Sequence, residues 1–296
     1  MKYLTRLVSA VALGLFAAAE CAAQLAMDID FNRSVFLLNE PIYARLRLRN
    51  DSGRTLIFGE SQDLRGRLQM EIVGPNGRRF RFPGSGPNPL QGLVLREGQE
   101  REVVFELGDY VTLDRTGAYR IYAYAGHPML TEEFRTPDRR IEITEGLSLW
   151  KRTVGIPDLL NTEQQSTPAE TRTYELTAVR DGREKRLYLS VYDDRRLYSL
   201  VPLGDIGGSD SIRCEIDAYS SLHLLLPVTA KIYEYLKYNS TGGLETRKIY
   251  RKSELPPILV RDPETGVVTV AGGEIAVPGV DYMEESAPAN PRKPEL

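Results

Sequence analysis

Residue types able to carry acid–base, nucleophilic or metal chemistry are few in this chain of 296 residues: two histidines, two cysteines and scattered acids. His127 stands in Ala125-Gly126-His127-Pro128, which reads as a loop tip, and His223 alternates with apolar residues in a predicted strand. Neither shares a ligand-like spacing with Cys, Asp or Glu, so no metal and no cofactor is expected. Gly-x-Ser-x-Gly and His-Glu-x-x-His are absent, which removes the common serine-hydrolase and zinc-hydrolase signatures. Cys214 follows Arg213, whose charge favours a thiolate, but a cysteine between Ile212 and Ile216 on a strand also reads as a small hydrophobe.

Paired carboxylates hydrolyse glycosides, and Asp193, Asp194, Asp205 and Asp210 are available. Adjacent strand residues point to opposite faces, however, and Asp193-Asp194-Arg195-Arg196 reads as a solvated hairpin turn. The stretch from Leu203 to Asp210 offers oxygen ligands for calcium without EF-hand spacing and reads as a flexible connection. No residue is assigned a catalytic role, and the expectation is a protein that is not an enzyme.

Tyrosine is the better functional signal. Ten of the sixteen tyrosines follow residue 172. Tyr188 and Tyr192 share one predicted strand face, and Tyr233 and Tyr235 share another with Lys231 and Lys237. Aromatic rings beside ammonium groups suit acidic sugars or an acidic protein patch, so these six residues form the expected binding set. The competing expectation is that the rings cover the second face of a sheet or an interdomain surface.

The elements that must position these groups are strands. Residues 24–145 show period-two alternation broken by Gly, Pro, Asn and Asp, clearest at Ile42–Asn50, where Ile42, Ala44, Leu46 and Leu48 face one way and Tyr43, Arg45, Arg47 and Arg49 the other. Asn76-Gly77 and Asp181-Gly182 mark hairpin turns. Residues 146–172 read as a linker or mobile loop around Trp150, 173–283 as a second antiparallel β domain, and 284–296 as a disordered tail. Residues 196–203 and 221–228 echo each other at an offset of 25, as blade hairpins of repeat proteins do, although the domain is too short for a closed propeller. The fold class is thus all-β, with the second domain an open blade-like sheet or a small sandwich.

Asn39-Glu40-Pro41 ahead of a long alternating strand, with Gly117-Ala118-Tyr119 entering a later one, resembles bacterial immunoglobulin-like modules of the macroglobulin and proteinase-inhibitor-like type. The resemblance implies a β-sandwich over residues 24–145 and a tyrosine whose hydroxyl bonds back across a corner. It says little about activity.

Lys2 and Arg6 precede a largely apolar run from Leu7 to Ala19 that ends in Cys21-Ala22-Ala23, the pattern of a signal peptide over residues 1–23 cleaved after Ala23. Export follows, to the periplasm or beyond. Cys21 as a lipidated first residue is the weaker reading, because Glu20 breaks the small-residue pattern before it. With Cys21 removed, Cys214 has no intramolecular disulfide partner, which favours a bacterial envelope. The net charge is −3, interspersed, and no basic stripe suits nucleic acid. Every basic residue between Leu25 and Gly146 is arginine, a composition that coding bias explains and that also suits forked carboxylate contacts. The expected function is a secreted non-catalytic binding or scaffold protein whose partner is an envelope protein or polysaccharide, without an integral membrane span. Two alternatives are a proteinase inhibitor inserting the loop Phe82–Pro89, and a carbohydrate-active enzyme or its accessory domain.

Overall fold

The computed structural model describes residues 24–82, 86, 88–156, 170–205 and 212–283. The signal-peptide, tail and Asp210 expectations, and parts of the expected linker (157–169) and inhibitory loop (83–85 and 87), lie outside these residues. Strands β1 (Leu25–Phe31), β2 (Val35–Leu37), β3 (Tyr43–Asn50), β4 (Leu56–Ile57), β5 (Arg67–Val73), β6 (Arg79–Phe82), β7 (Val94–Leu95), β8 (Glu100–Glu106), β9 (Gly117–Gly126), β10 (Phe134–Arg135) and β11 (Arg139–Thr144) come first. They are followed by β12 (Leu147–Gly155), β13 (Thr171–Asp181), β14 (Glu184–Tyr192), β15 (Leu197–Asp205), β16 (Arg213–Ile216), β17 (Leu222–Pro227), β18 (Ile232–Tyr238), β19 (Leu244–Arg251), β20 (Ile258–Arg261), β21 (Val268–Ala271) and β22 (Glu274–Ile275). The protein is all-β, and no helix among the described residues is long and apolar enough to cross a membrane.

The chain folds into two units. The first holds residues 24–32, 42–112 and 120–140. Its antiparallel sheet β1-β3-β8 buries Ile29, Leu46, Leu48 and Phe105, while Arg45, Arg47 and Arg49 stay exposed, as period-two alternation dictates. β5 pairs with both β6 and β9 and turns Leu68, Met70 and Ile72 inward. In the turn between β5 and β6 only Gly77 takes positive φ, and Asn76 accepts from the Arg78 amide.

The second unit holds residues 33–41, 113–119 and 141–283. Sheets β12-β13-β14-β15 and β16-β17-β18-β19-β22 share one core of Tyr174, Leu176, Leu187, Leu189, Leu222, Leu224, Leu236 and Tyr238, which makes this unit a small sandwich rather than an open sheet. β15 and β17, which carry the sequence echo, belong to different sheets. Each supplies apolar residues to that core, and this shared task explains the similarity without a repeated blade. The expected linker begins instead as a strand: β12 pairs along β13 and presses Trp150 and Val154 onto the core. β2 lies parallel to β11, and Leu37 packs with Val179 and Tyr188, so residues 33–41 group with the later strands and not with the earlier ones. Tyr119 donates its hydroxyl to the Arg115 carbonyl at 2.7 Å, the corner bond that the immunoglobulin-like resemblance implies.

Candidate functional site

The six residues of the expected tyrosine and lysine set come to three different environments. Tyr188 is fully buried beneath the β2 segment, where its hydroxyl donates to Glu40 at 3.0 Å and accepts from Arg33. Burial, then the neighbouring Glu40 charge, pushes the phenol up to about 12. Tyr192 is half-buried at the other end of β14 and donates to Glu175 at 2.7 Å, with the Lys151 ammonium 5.3 Å from its ring centre. Burial opposes ionisation of Glu175, but hydrogen bonds from Ser148 and Tyr192, joined by the Lys151 charge, outweigh it and hold the carboxyl below its ordinary range.

On β18, Tyr233, Tyr235 and Lys237 do share a face, because Leu236 and Tyr238 take the alternate positions in the sandwich core. Lys231 precedes the strand and is exposed. That face is not open at its centre. β20 packs against β16 and β17, and Leu222 to Leu226 are buried on both sides. Beneath it lies a polar chain that sequence reasoning missed. The Asp217 carboxylate caps its own turn by accepting from the amides of Tyr219 and Ser221 at 2.9 and 2.8 Å. Its other oxygen lies 3.1 Å from His223 Nε2 and 3.8 Å from Lys237 Nζ, and His223 Nδ1 lies 2.8 Å from the Tyr235 hydroxyl. With a carboxylate at Nε2, the neutral imidazole carries its proton there and Tyr235 donates to Nδ1. Asp, His and a hydroxyl in this order resemble a nucleophile relay, yet burial raises Tyr235 and lowers His223, so both favour their neutral forms. The chain is a closed, satisfied network. Its clue in the sequence was Asp217 two residues before Tyr219, the spacing of an Asx-turn.

The other chemistry-bearing residues are mostly engaged within the fold. Cys214 packs on the sandwich core, where burial and then Glu215 push the thiol up to about 12. Asp193 accepts from the amides of Arg195 and Arg196 and from Tyr198, and these bonds, the tyrosine's first, hold it down at about 2. Asp205 pairs with Arg186 at 3.0 Å. Asp194 is exposed at the hairpin tip. No group of three or more His, Cys, Asp or Glu able to hold a metal occurs among the described residues.

The first unit presents an open groove of about 480 Å³ lined by Glu60, Gln62, Arg65, Arg67, His127 and Glu133, with Gly126 and Pro128 at one side. Its frame is fixed from the sequence up. His127 is buried, with Nε2 3.0 Å from the Ile57 carbonyl and Nδ1 accepting from the Met129 amide at 3.1 Å, and its ring meets Phe58 edge-on. Gly66 is required beside Phe58, since a Cβ there falls 2.1 Å from the ring. Asn88 donates to the Gly66 carbonyl and secures the loop that carries Arg65. Gln91 donates to Glu60 at 2.7 Å, and Arg81 pairs with Glu133 at 2.7 Å. Arg65 and Arg67 are exposed and pair with no carboxylate among the described residues. The arginine-only composition was the one sequence signal pointing here.

No protein-family model and no curated protein matches the chain. Among solved structures, the sporulation control protein Spo0M of Bacillus subtilis is similar at 10% identity over 61% of this chain and 89% of that one, with a TM-score of 0.29. A CARDB domain from Pyrococcus furiosus is similar at 14% identity over 40% and 87%, TM-score 0.25. The DNA glycosylase AlkC of Pseudomonas fluorescens is similar at 13% identity over 41% of this chain but only 30% of its own length, TM-score 0.28.

Proposed function

We propose that the chain is a secreted, non-catalytic binding or scaffold module of the bacterial envelope, with an immunoglobulin-like first sandwich. The observation that carries this reading is the groove of the first unit, whose walls are held by side-chain hydrogen bonds to the main chain while two exposed guanidinium groups pair with no carboxylate among the described residues. Preformed polar concavity of this kind favours ligand capture without a large ordering cost. The Tyr119–Arg115 bond, made where the chain enters β9 to pair with β5, supports the immunoglobulin-like type. The leader at residues 1–23 supports export, and a polysaccharide or envelope protein is the partner class.

The test uses the purified full chain in three assays: pelleting with acidic and neutral polysaccharides, product release from the same polymers, and titration against a panel of proteases. Saturable retention with no product and no inhibition supports the reading. Shortened polymer, or stoichiometric protease inhibition, replaces it with one of the two alternatives.

A further inference from the structure

Resting on the binding reading, we infer that the groove takes a uronate unit of an acidic polysaccharide, its carboxylate held by Arg65 and Arg67 and its hydroxyls by Glu60 and Glu133. Three observations lead there. The first is the pair of arginines. Arg67 opens β5 opposite Gly126, and Arg65 sits two residues before it at the end of the 3-10 turn Gln62–Leu64, so two planar forks enter one concavity. Forked guanidinium donors match carboxylate geometry and bind it more strongly than point charges do.

The second is the acceptor set. Each groove acid has one described partner, Glu60 with Gln91 and Glu133 with Arg81, and a carboxylate offers about four lone-pair sites, so both keep acceptor capacity for incoming hydroxyls. A sugar ring bearing one carboxylate and neighbouring hydroxyls uses arginine and glutamate together. An acidic peptide satisfies the arginines and then meets Glu60 and Glu133 as like charges. A neutral sugar leaves the two guanidinium groups without an anion.

The third is space. The groove volume falls in the range of roughly 300–1,000 Å³ usual for small-ligand sites. Gly126 keeps it open on one side, since a Cβ there approaches the Glu133 side chain to 3.2 Å. His127 forms the floor but contributes no free nitrogen, because both are engaged by the backbone.

The experiment is calorimetric titration of the full chain with a galacturonate oligomer, a galactose oligomer of equal length and hexaglutamate. Saturable binding of the galacturonate oligomer is expected, at least tenfold tighter than either control and weakened by salt. The double variant Arg65→Ala/Arg67→Ala should lose tenfold or more with an unchanged melting temperature, and Arg65→Lys/Arg67→Lys should recover only part of it. Gly126→Leu, which fills the groove beside Glu133 and opposite Arg67 while leaving both guanidinium charges in place, should also weaken binding. Equal affinity for hexaglutamate, absence of galacturonate binding, or unchanged affinity in both the double alanine variant and Gly126→Leu overturns the inference. Shortening of the galacturonate oligomer during the titration overturns the non-catalytic reading instead.

Discussion

The Tyr235 hydroxyl and His223 Nδ1 lie 2.8 Å apart, joining neighbouring strands β17 and β18 on the face of the sheet turned away from the sandwich core. Both side chains are buried, at 8% and 3% exposure, so neither has water as a ready substitute partner. Tyr235→Phe keeps the ring and its edge-on contact with Tyr250 but leaves a buried acceptor unsatisfied. The expected loss is about 1–3 kcal/mol in urea unfolding.

The same imidazole makes stability depend on pH. Burial holds His223 below its ordinary value of 6.5, against the opposing pull of Asp217, so the unfolded chain takes up a proton at a higher pH than the folded one. The contribution is therefore complete above pH 6.5 and is lost as pH falls from there toward the folded value. His223→Gln should flatten the pH dependence of the urea midpoint in that window. A mutant profile parallel to the native one would assign the acid sensitivity elsewhere.

Arg33 and Glu40 form a nearly buried ion pair, with side-chain exposures of 11% and 9%, beneath which Tyr188 is bonded to both. Removing one charge strands the other. Arg33→Ala or Glu40→Ala should each cost about 3–5 kcal/mol, whereas the double replacement Arg33→Met/Glu40→Leu should recover most of that, because an apolar pair carries no desolvation penalty. Additive losses in the double variant would count against a coupled pair.

On β3, Leu46→Asp places an unpaired carboxylate at a fully buried position, and Arg47→Gln removes only a 3.1 Å surface pair with Asp28. Thermal unfolding should separate them: the first variant loses several kcal/mol or fails to fold, and the second changes by about 0–1 kcal/mol.

Gly66→Ala should distort the groove loop by driving a methyl into the Phe58 ring, at a cost of about 1–3 kcal/mol. Gly77→Ala, in the open turn after β5, meets no atom within 4 Å and strains only its own positive φ. A larger melting-temperature drop for the first than for the second is the expected ordering.

The strands were legible where one face meets solvent. Arg45, Arg47 and Arg49 mark the period of β3, and Asp181-Gly182 marks the β13–β14 hairpin with Gly182 at positive φ. β17 was legible as a strand, but its burial on both faces depends on β20, which arrives more than thirty residues later, and no local pattern announces a cover. For the same reason the pattern left Tyr188 and Tyr235 open between a binding stripe and cover for the second face of a sheet, and both are buried: alternation gives the face, and tertiary packing decides what lies over it. β12 was missed because Leu147 and Leu149 remain exposed, so its apolar residues do not sort cleanly by face. At the groove, residues 57–67 and 126–133 meet through the β5–β9 pairing and the His127–Ile57 contact, and only the excess of arginine hinted at the charge they present.

The parallel pairing of β2 with β11 also sets an order of events during synthesis. β2 leaves the ribosome early, yet Val35 finds its partner Glu142 only after roughly a hundred further residues have emerged, so this contact closes a long loop of the kind that slows folding. Until then the apolar residues Phe36 and Leu37, both buried in the finished fold, are an unsatisfied strand on a nascent chain.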